Sequence, residues 1–180
     1  PPVTQAAFWQ KVATHAHGWT SWSIIQAQNG HLYATAISAI LKSTNGGSIW
    51  TVNLNISPLP TDIQTGYILY QLANGSIFHG SRRGNGVPLI RTDNNGVSWV
   101  DKSLPEMTDI YNVIQTGTGA VLAGGATTNG GAIWRSINNG DNWTKVLTGT
   151  VQTSIQTFAI AQNGAIVAGN NYGFLYRSTN

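Results

Sequence analysis

Side chains able to do chemistry are few in this sequence. Its carboxylates are Asp62, Asp93, Asp101, Glu106, Asp109 and Asp141, with Glu106 the one glutamate. Cleaving a glycosidic bond calls for two such groups, one acid and one base or nucleophile. Asp62, Glu106 and Asp109 fall in segments that read as loops, where a pair could meet, whereas Asp93 and Asp141 sit inside a repeated turn. His15 and His17 are two apart, so an extended chain would place both rings on one side, as a metal would need. No third ligand of suitable type stands near them, and the chain has no cysteine. Gly117-Thr118-Gly119 lacks the third glycine and the following helix of a phosphate loop, and reads as a hairpin turn. No catalytic residue, metal or cofactor is expected.

A binding site is better supplied. Trp19, Trp22, His17, Arg82, Arg83, Asn85, Asp109, Tyr111, Asn171 and Tyr172 are the candidate ligand-binding residues. They set aromatic rings beside amide, carboxylate, imidazole and guanidinium groups. A saccharide needs that mixture, because ring faces stack on sugar C–H groups while polar side chains bond the hydroxyls. Trp19 and Trp22 lie outside the positions at which tryptophan recurs.

Those residues must be held by a repeat. Glycines at 30, 75, 119 and 164 close turns of the type Asn-Gly or Thr-Gly between two apolar runs, at a period of 44 to 45 residues. Each reads as a β-hairpin with a two-residue turn. After each hairpin comes a second motif: apolar, basic, Ser/Thr, any, Asn, any, Gly, any, any, Trp. Its copies are Ser43, Asn45, Gly47 and Trp50; Thr92, Asn94, Gly96 and Trp99; and Ser136, Asn138, Gly140 and Trp143. A fourth begins at Tyr176-Arg177-Ser178-Thr179-Asn180. Physically this is a strand, a turn closed by side-chain-to-backbone bonds, and a strand opened by an indole. Lys42, Arg91, Arg135 and Arg177 recur just before it and are expected to face solvent or pair locally.

The second motif resembles the Asp-box, or BNR repeat, of sialidase-like propellers, usually written Ser-x-Asp-x-Gly-x-x-Trp, with Asn45, Asn94 and Asn138 in place of Asp. The resemblance implies an all-β fold: a small β-propeller of about four blades, each of four antiparallel strands. The expected blades run about 23–55, 67–104, 111–147 and 155–180 within one domain spanning 1–180. Phe8-Trp9-Gln10-Lys11-Val12 matches Asn142-Trp143-Thr144-Lys145-Val146, so an N-terminal strand over 6–13 is expected to complete the last blade and close the ring. The resemblance also implies that the box is a structural turn away from the ligand face, and that the loops at the other end carry recognition. Sialidase chemistry needs an arginine triad and a Tyr–Glu nucleophile; the single glutamate and the absence of an Arg-Ile-Pro sequence argue against it.

Composition bounds the rest. Charged residues are 8% of 180 and apolar residues 41%, so the chain is globular with an uncharged polar surface. A net charge of +3 is no basic stripe for a phosphate backbone, which argues against nucleic acid. No run reaches the ~18 apolar residues of a membrane span, and Pro1-Pro2-Val3-Thr4 does not open a signal peptide. The expectation is a non-catalytic recognition or adhesion module of a surface, secreted or virion protein, binding a glycan or protein ligand and able to form a homo-oligomer. The alternatives are a protein-interaction scaffold resembling photosystem assembly-factor propellers, docking an acidic partner, and a glycosidase.

Overall fold

The computed structural model describes residues 11–12, 21–37, 39–55, 66–82, 87–104 and 106–179. His15, His17, Trp19, Asp62, Arg83, Asn85 and most of the expected closing strand over 6–13 lie outside them. The described residues form four antiparallel sheets in chain order. The first holds β1 (Ile24–Gln26), β2 (Leu32–Ala36), β3 (Ala39–Ser43) and β4 (Thr51–Asn55). The second holds β5 (Gly66–Gln71), β6 (Ile77–Ser81), β7 (Leu89–Thr92) and β8 (Val100–Asp101). The third holds β9 (Met107–Gln115), β10 (Val121–Thr127), β11 (Gly130–Ser136) and β12 (Thr144–Thr148). β13 (Ile155–Ile160), β14 (Ile166–Asn170) and β15 (Leu175–Ser178) make the fourth.

Each sheet is a blade, and alternation along its strands sends side chains to two neighbours. Tyr33 and Ile40 of the first blade pack on Leu69, Ile77 and Ile90 of the second. Phe78 and Leu89, on the other face of that blade, meet Val113, Val121 and Trp134 of the third. Leu122 and Ile133 then meet Ile155 and Ile166 of the fourth. The core is therefore a series of interfaces between blades. The first strands β1, β5, β9 and β13 lie side by side across these interfaces and form the inner row. Among the described residues no comparable packing joins the fourth blade to the first.

The hairpins differ in detail from the expected two-residue turn. Positive φ occurs at Gly30, Gly75, Gly119 and Gly164 but not at the residue before each. Gly30 N–H donates to the Ala27 carbonyl and Ala27 N–H to that of His31. That is a three-residue loop ending in a glycine bulge, and Asn29 serves by accepting a hydrogen bond from His31 N–H at 3.0 Å.

The second motif closes identically three times. Ser43, Thr92 and Ser136 hydroxyls each donate to the asparagine two residues on and accept from the glycine N–H four residues on. Asn45, Asn94 and Asn138 Oδ1 each accept a further backbone N–H at 2.9 Å. Only an oxygen acceptor is needed there, so asparagine does the work of aspartate.

Of the basic residues before these turns, Arg177 is exposed, while Lys42 and Arg91 pair across a blade interface. Lys42 Nζ donates to the carbonyl of Asn95, and Arg91 to that of Asn139, each in the turn of the following blade. Arg91 also holds Asp93 and Asp141 at 2.8 and 2.9 Å. They are latches between blades. A second latch uses glutamine: Gln71 and Gln115 bond their own hairpins while their Oε1 accepts N–H of Gln28 and Ala73 in the preceding blade.

Candidate functional site

The inner strands begin at the end of the molecule opposite the hairpins and boxes. There Trp22, immediately before β1, meets Tyr67 on β5 edge-on, with ring centroids 6.3 Å apart. Tyr67 meets Tyr111 on β9 at 4.6 Å with planes tilted by 33°. Three successive blades thus contribute one ring each to a continuous shelf. The cause is the repeat itself. Ile24, Leu69, Val113 and Phe158 pair with Ala34, His79, Ala123 and Ala168 in equivalent register. Two residues before them stand Trp22, Tyr67, Tyr111 and Gln156. Trp22 therefore occupies a position that is aromatic in three blades, although tryptophan itself does not recur there. Tyr67 was missed, although adding the 44-to-45-residue period to position 22 leads to it and to Tyr111.

Asp109 lies beside the shelf, on β9 and not in a loop as expected. A register shift in the β9–β10 ladder between Gly124 and Gly125 turns the start of β9, and a backbone bridge links Asp109 to Arg82. Arg82 Nε stands 3.8 Å from Asp109 Oδ1, the arginine largely exposed and the carboxylate largely covered. Asp109 Oδ1 is buried without a hydrogen-bond partner. Burial raises the Asp109 pKa, against the lowering effects of Thr108 and Arg82. Burial also raises the phenol pKa values of Tyr67 and Tyr111, and the negative charge of Asp109 pushes both further up. Both phenols are held neutral and hydrogen-bonded to each other, beside a carboxylate with acceptor capacity to spare.

Other expected site residues are elsewhere. Asn171 is occupied structurally: its Oδ1 accepts Ser154 N–H at 2.8 Å and its own N–H donates to the Ser154 carbonyl, fixing the entry to β13. Tyr172 is exposed in the β14–β15 turn, and no ring contact joins it to the shelf among the described residues. The remaining glutamate does not pair with Asp109. Glu106 accepts from Lys145 Nζ at 2.8 Å and Trp134 Nε1 at 3.3 Å, and the Lys145 bond leads in holding its pKa down. No metal-ligating cluster occurs among the described residues, nor any helix long and apolar enough to cross a membrane.

No protein-family model and no curated protein matches this chain. Solved structures do. The extracellular domain of the one-component system BT4673 from B. thetaiotaomicron aligns with 89% of this chain and 21% of its own, at TM-score 0.69 and 18% identity. An ancestral GH74 enzyme aligns with 96% of this chain and 24% of its own, at TM-score 0.70 and 20% identity. YCF48 from Cyanidioschyzon merolae aligns with 94% of this chain and 56% of its own, at TM-score 0.62 and 16% identity. The chain spans about a quarter or less of the first two proteins and just over half of the third. At these identities the likeness is one of fold, and the fold is that of successive β-propeller blades.

Proposed function

We propose that this chain is a non-catalytic recognition module, of the Asp-box type its turns resemble, that binds a saccharide across the Trp22–Tyr67–Tyr111 shelf. The observation that carries the reading is three rings from consecutive inner strands, beside the Arg82–Asp109 ion pair, whose buried carboxylate oxygen has no hydrogen-bond partner. A pyranose presenting its C–H face would stack on the exposed indole of Trp22 and the adjoining phenol edges. Asp109 would accept from one sugar hydroxyl, and the exposed Arg82 would donate to another. The reading makes the shelf a place of adhesion on a surface, secreted or virion protein. Glycan recognition also suits a fold shared with a sensor's extracellular domain and with GH74 enzymes. The low content of charged residues, 8%, supports a neutral ligand over an acidic protein partner.

The test is a broad glycan array with the purified chain, beside a Trp22→Ala, Tyr67→Ala double variant and an Asp109→Asn variant. Selective binding that the double variant loses and 0.5 M salt leaves intact is the expected result. Absence of binding at high concentration, or binding that the double variant keeps, refutes it. Capture of acidic proteins that salt abolishes would shift the reading to a protein scaffold docked through Arg82.

A further inference from the structure

Both ends of the row of blades expose apolar side chains at positions that the interior interfaces cover wholly or in part. On the leading face of each blade, one inner-strand position packs against the blade before. It is Leu69 in the second blade and Val113 in the third, at 2% and 0% exposure, but Ile24 in the first blade, at 60%. On the trailing face, one third-strand position packs against the blade after. It is Ile40, Leu89 and Ile133 in the first three blades, at 0%, 0% and 8%, but Leu175 in the fourth, at 75%. Phe174 beside Leu175 and Val52 on the first blade are exposed as well.

The polar latches, which join the first blade to the second and the second to the third, have unused halves at both ends. Lys42 and Arg91 donate to the carbonyls of Asn95 and Asn139, the residue before the box glycine of the next blade. The equivalent donor on the fourth blade is Arg177, and the equivalent acceptor on the first is the carbonyl of Gly46. In the glutamine latch the backbone N–H of Gln28 and Ala73 meets Oε1 of the next blade's glutamine. The equivalent donor on the fourth blade is the N–H of Gln162, and the equivalent acceptor on the first is Gln26 Oε1. Among the described residues these four groups have no partner across a blade interface. One end carries two spare donors and an apolar trailing face; the other carries the two matching acceptors and an apolar leading face.

We infer that a second copy of this chain docks head to tail, its first blade on the fourth blade of its partner, and that two copies close one ring. Each of the two interfaces would repeat the one between the first and second blades: Leu175 against Ile24, Arg177 on the Gly46 carbonyl, Gln162 N–H on Gln26. Such an interface joins unlike surfaces, so association stops only when the ring closes. Eight blades lie within the range that propellers adopt. This inference is independent of the saccharide reading, since none of its residues belongs to the aromatic shelf.

The experiment is sedimentation velocity on the chain and two variants, Leu175→Glu and Ile24→Glu, with circular dichroism to show that each folds. Both side chains are exposed in the single chain, so the fold itself should tolerate the substitutions. The unmodified chain should sediment at twice the mass of 19.2 kDa. Either variant alone should be monomeric, because each spoils both interfaces of the ring. Mixed in equal amounts, they should form a dimer, since one intact head meets one intact tail. Arg177→Ala should weaken association by about tenfold or more, as loss of a charged hydrogen bond does. A monomeric unmodified chain at about 100 μM overturns the proposal. So does a dimer that only one of the two substitutions dissociates, which marks a like-with-like contact. A mass beyond two chains overturns the closed two-copy ring.

Discussion

His79 should make this protein lose stability as pH falls from 6.5 to 4. Its ring is fully buried between the first and second blades, at a position that Ala34, Ala123 and Ala168 hold in the others. A Cβ on Gly66 would stand 2.6 Å from His79 Nε2, so the ring fills the space which that glycine leaves. Neither ring nitrogen meets another residue's polar atom. Desolvation lowers its pKa from 6.5 to about 4. Because the folded state resists the proton and the unfolded state accepts it, the stability is complete above pH 6.5. It falls progressively down to pH 4, and below that this group takes no more. The full loss is about 3 kcal/mol from the conversion of pKa difference to free energy, with about 2 kcal/mol already gone at pH 5. The assay is urea denaturation at half-unit steps from pH 7.5 to 4.5, for the natural chain and for His79→Leu. The variant starts from a different absolute stability, but its slope across pH 5 to 6.5 should be nearly flat. An equal slope in both proteins would refute the argument.

Two further substitutions test the blade interfaces and turns. Arg91→Ala strips the guanidinium from the Asn139 carbonyl and from Asp93 in a nearly buried setting. It should cost roughly 2–3 kcal/mol, read as a clear drop in melting temperature; an unchanged melt would show that the latch contributes nothing. Asn138→Asp preserves the acceptor for Ser136 and Asn142 and should change stability by less than about 0.5 kcal/mol, while Asn138→Ala should cost about 1–2 kcal/mol by the same measurement.

The glycines at 30, 75, 119 and 164 and the three Ser/Thr-Asn-Gly-Trp turns were enough to read four blades, because both signals are local and recur in phase. What the sequence hid was side chains whose setting depends on backbone outside their own turn. The local pairing expected of Arg91 is present with Asp93, but the reach of Arg91 and Lys42 into the next blade was not legible, because the acceptors there are carbonyls, which leave no trace in residue type. Asp109 looked like a loop carboxylate because the register shift that covers it belongs to the backbone of β9 and β10. The repeat equivalents of Trp22 are the phenols Tyr67 and Tyr111, so the recurrence of tryptophan alone does not align the three. Asn171 had a suitable side chain for a ligand, but the start of β13 claims it.

The acceptors of the basic latch, the carbonyls of Asn95 and Asn139, have a consequence for how such chains can change. A main-chain oxygen is present whatever residue carries it. The receiving blade therefore needs only a correctly bent turn, and the donating blade only a long cation. A gene segment encoding one blade, once duplicated, encodes a neighbour that already fits, without matching substitutions on the other side. The residue at that place answers to its left-handed backbone and not to the cation, which is how Gly46, Asn95 and Asn139 hold equivalent places.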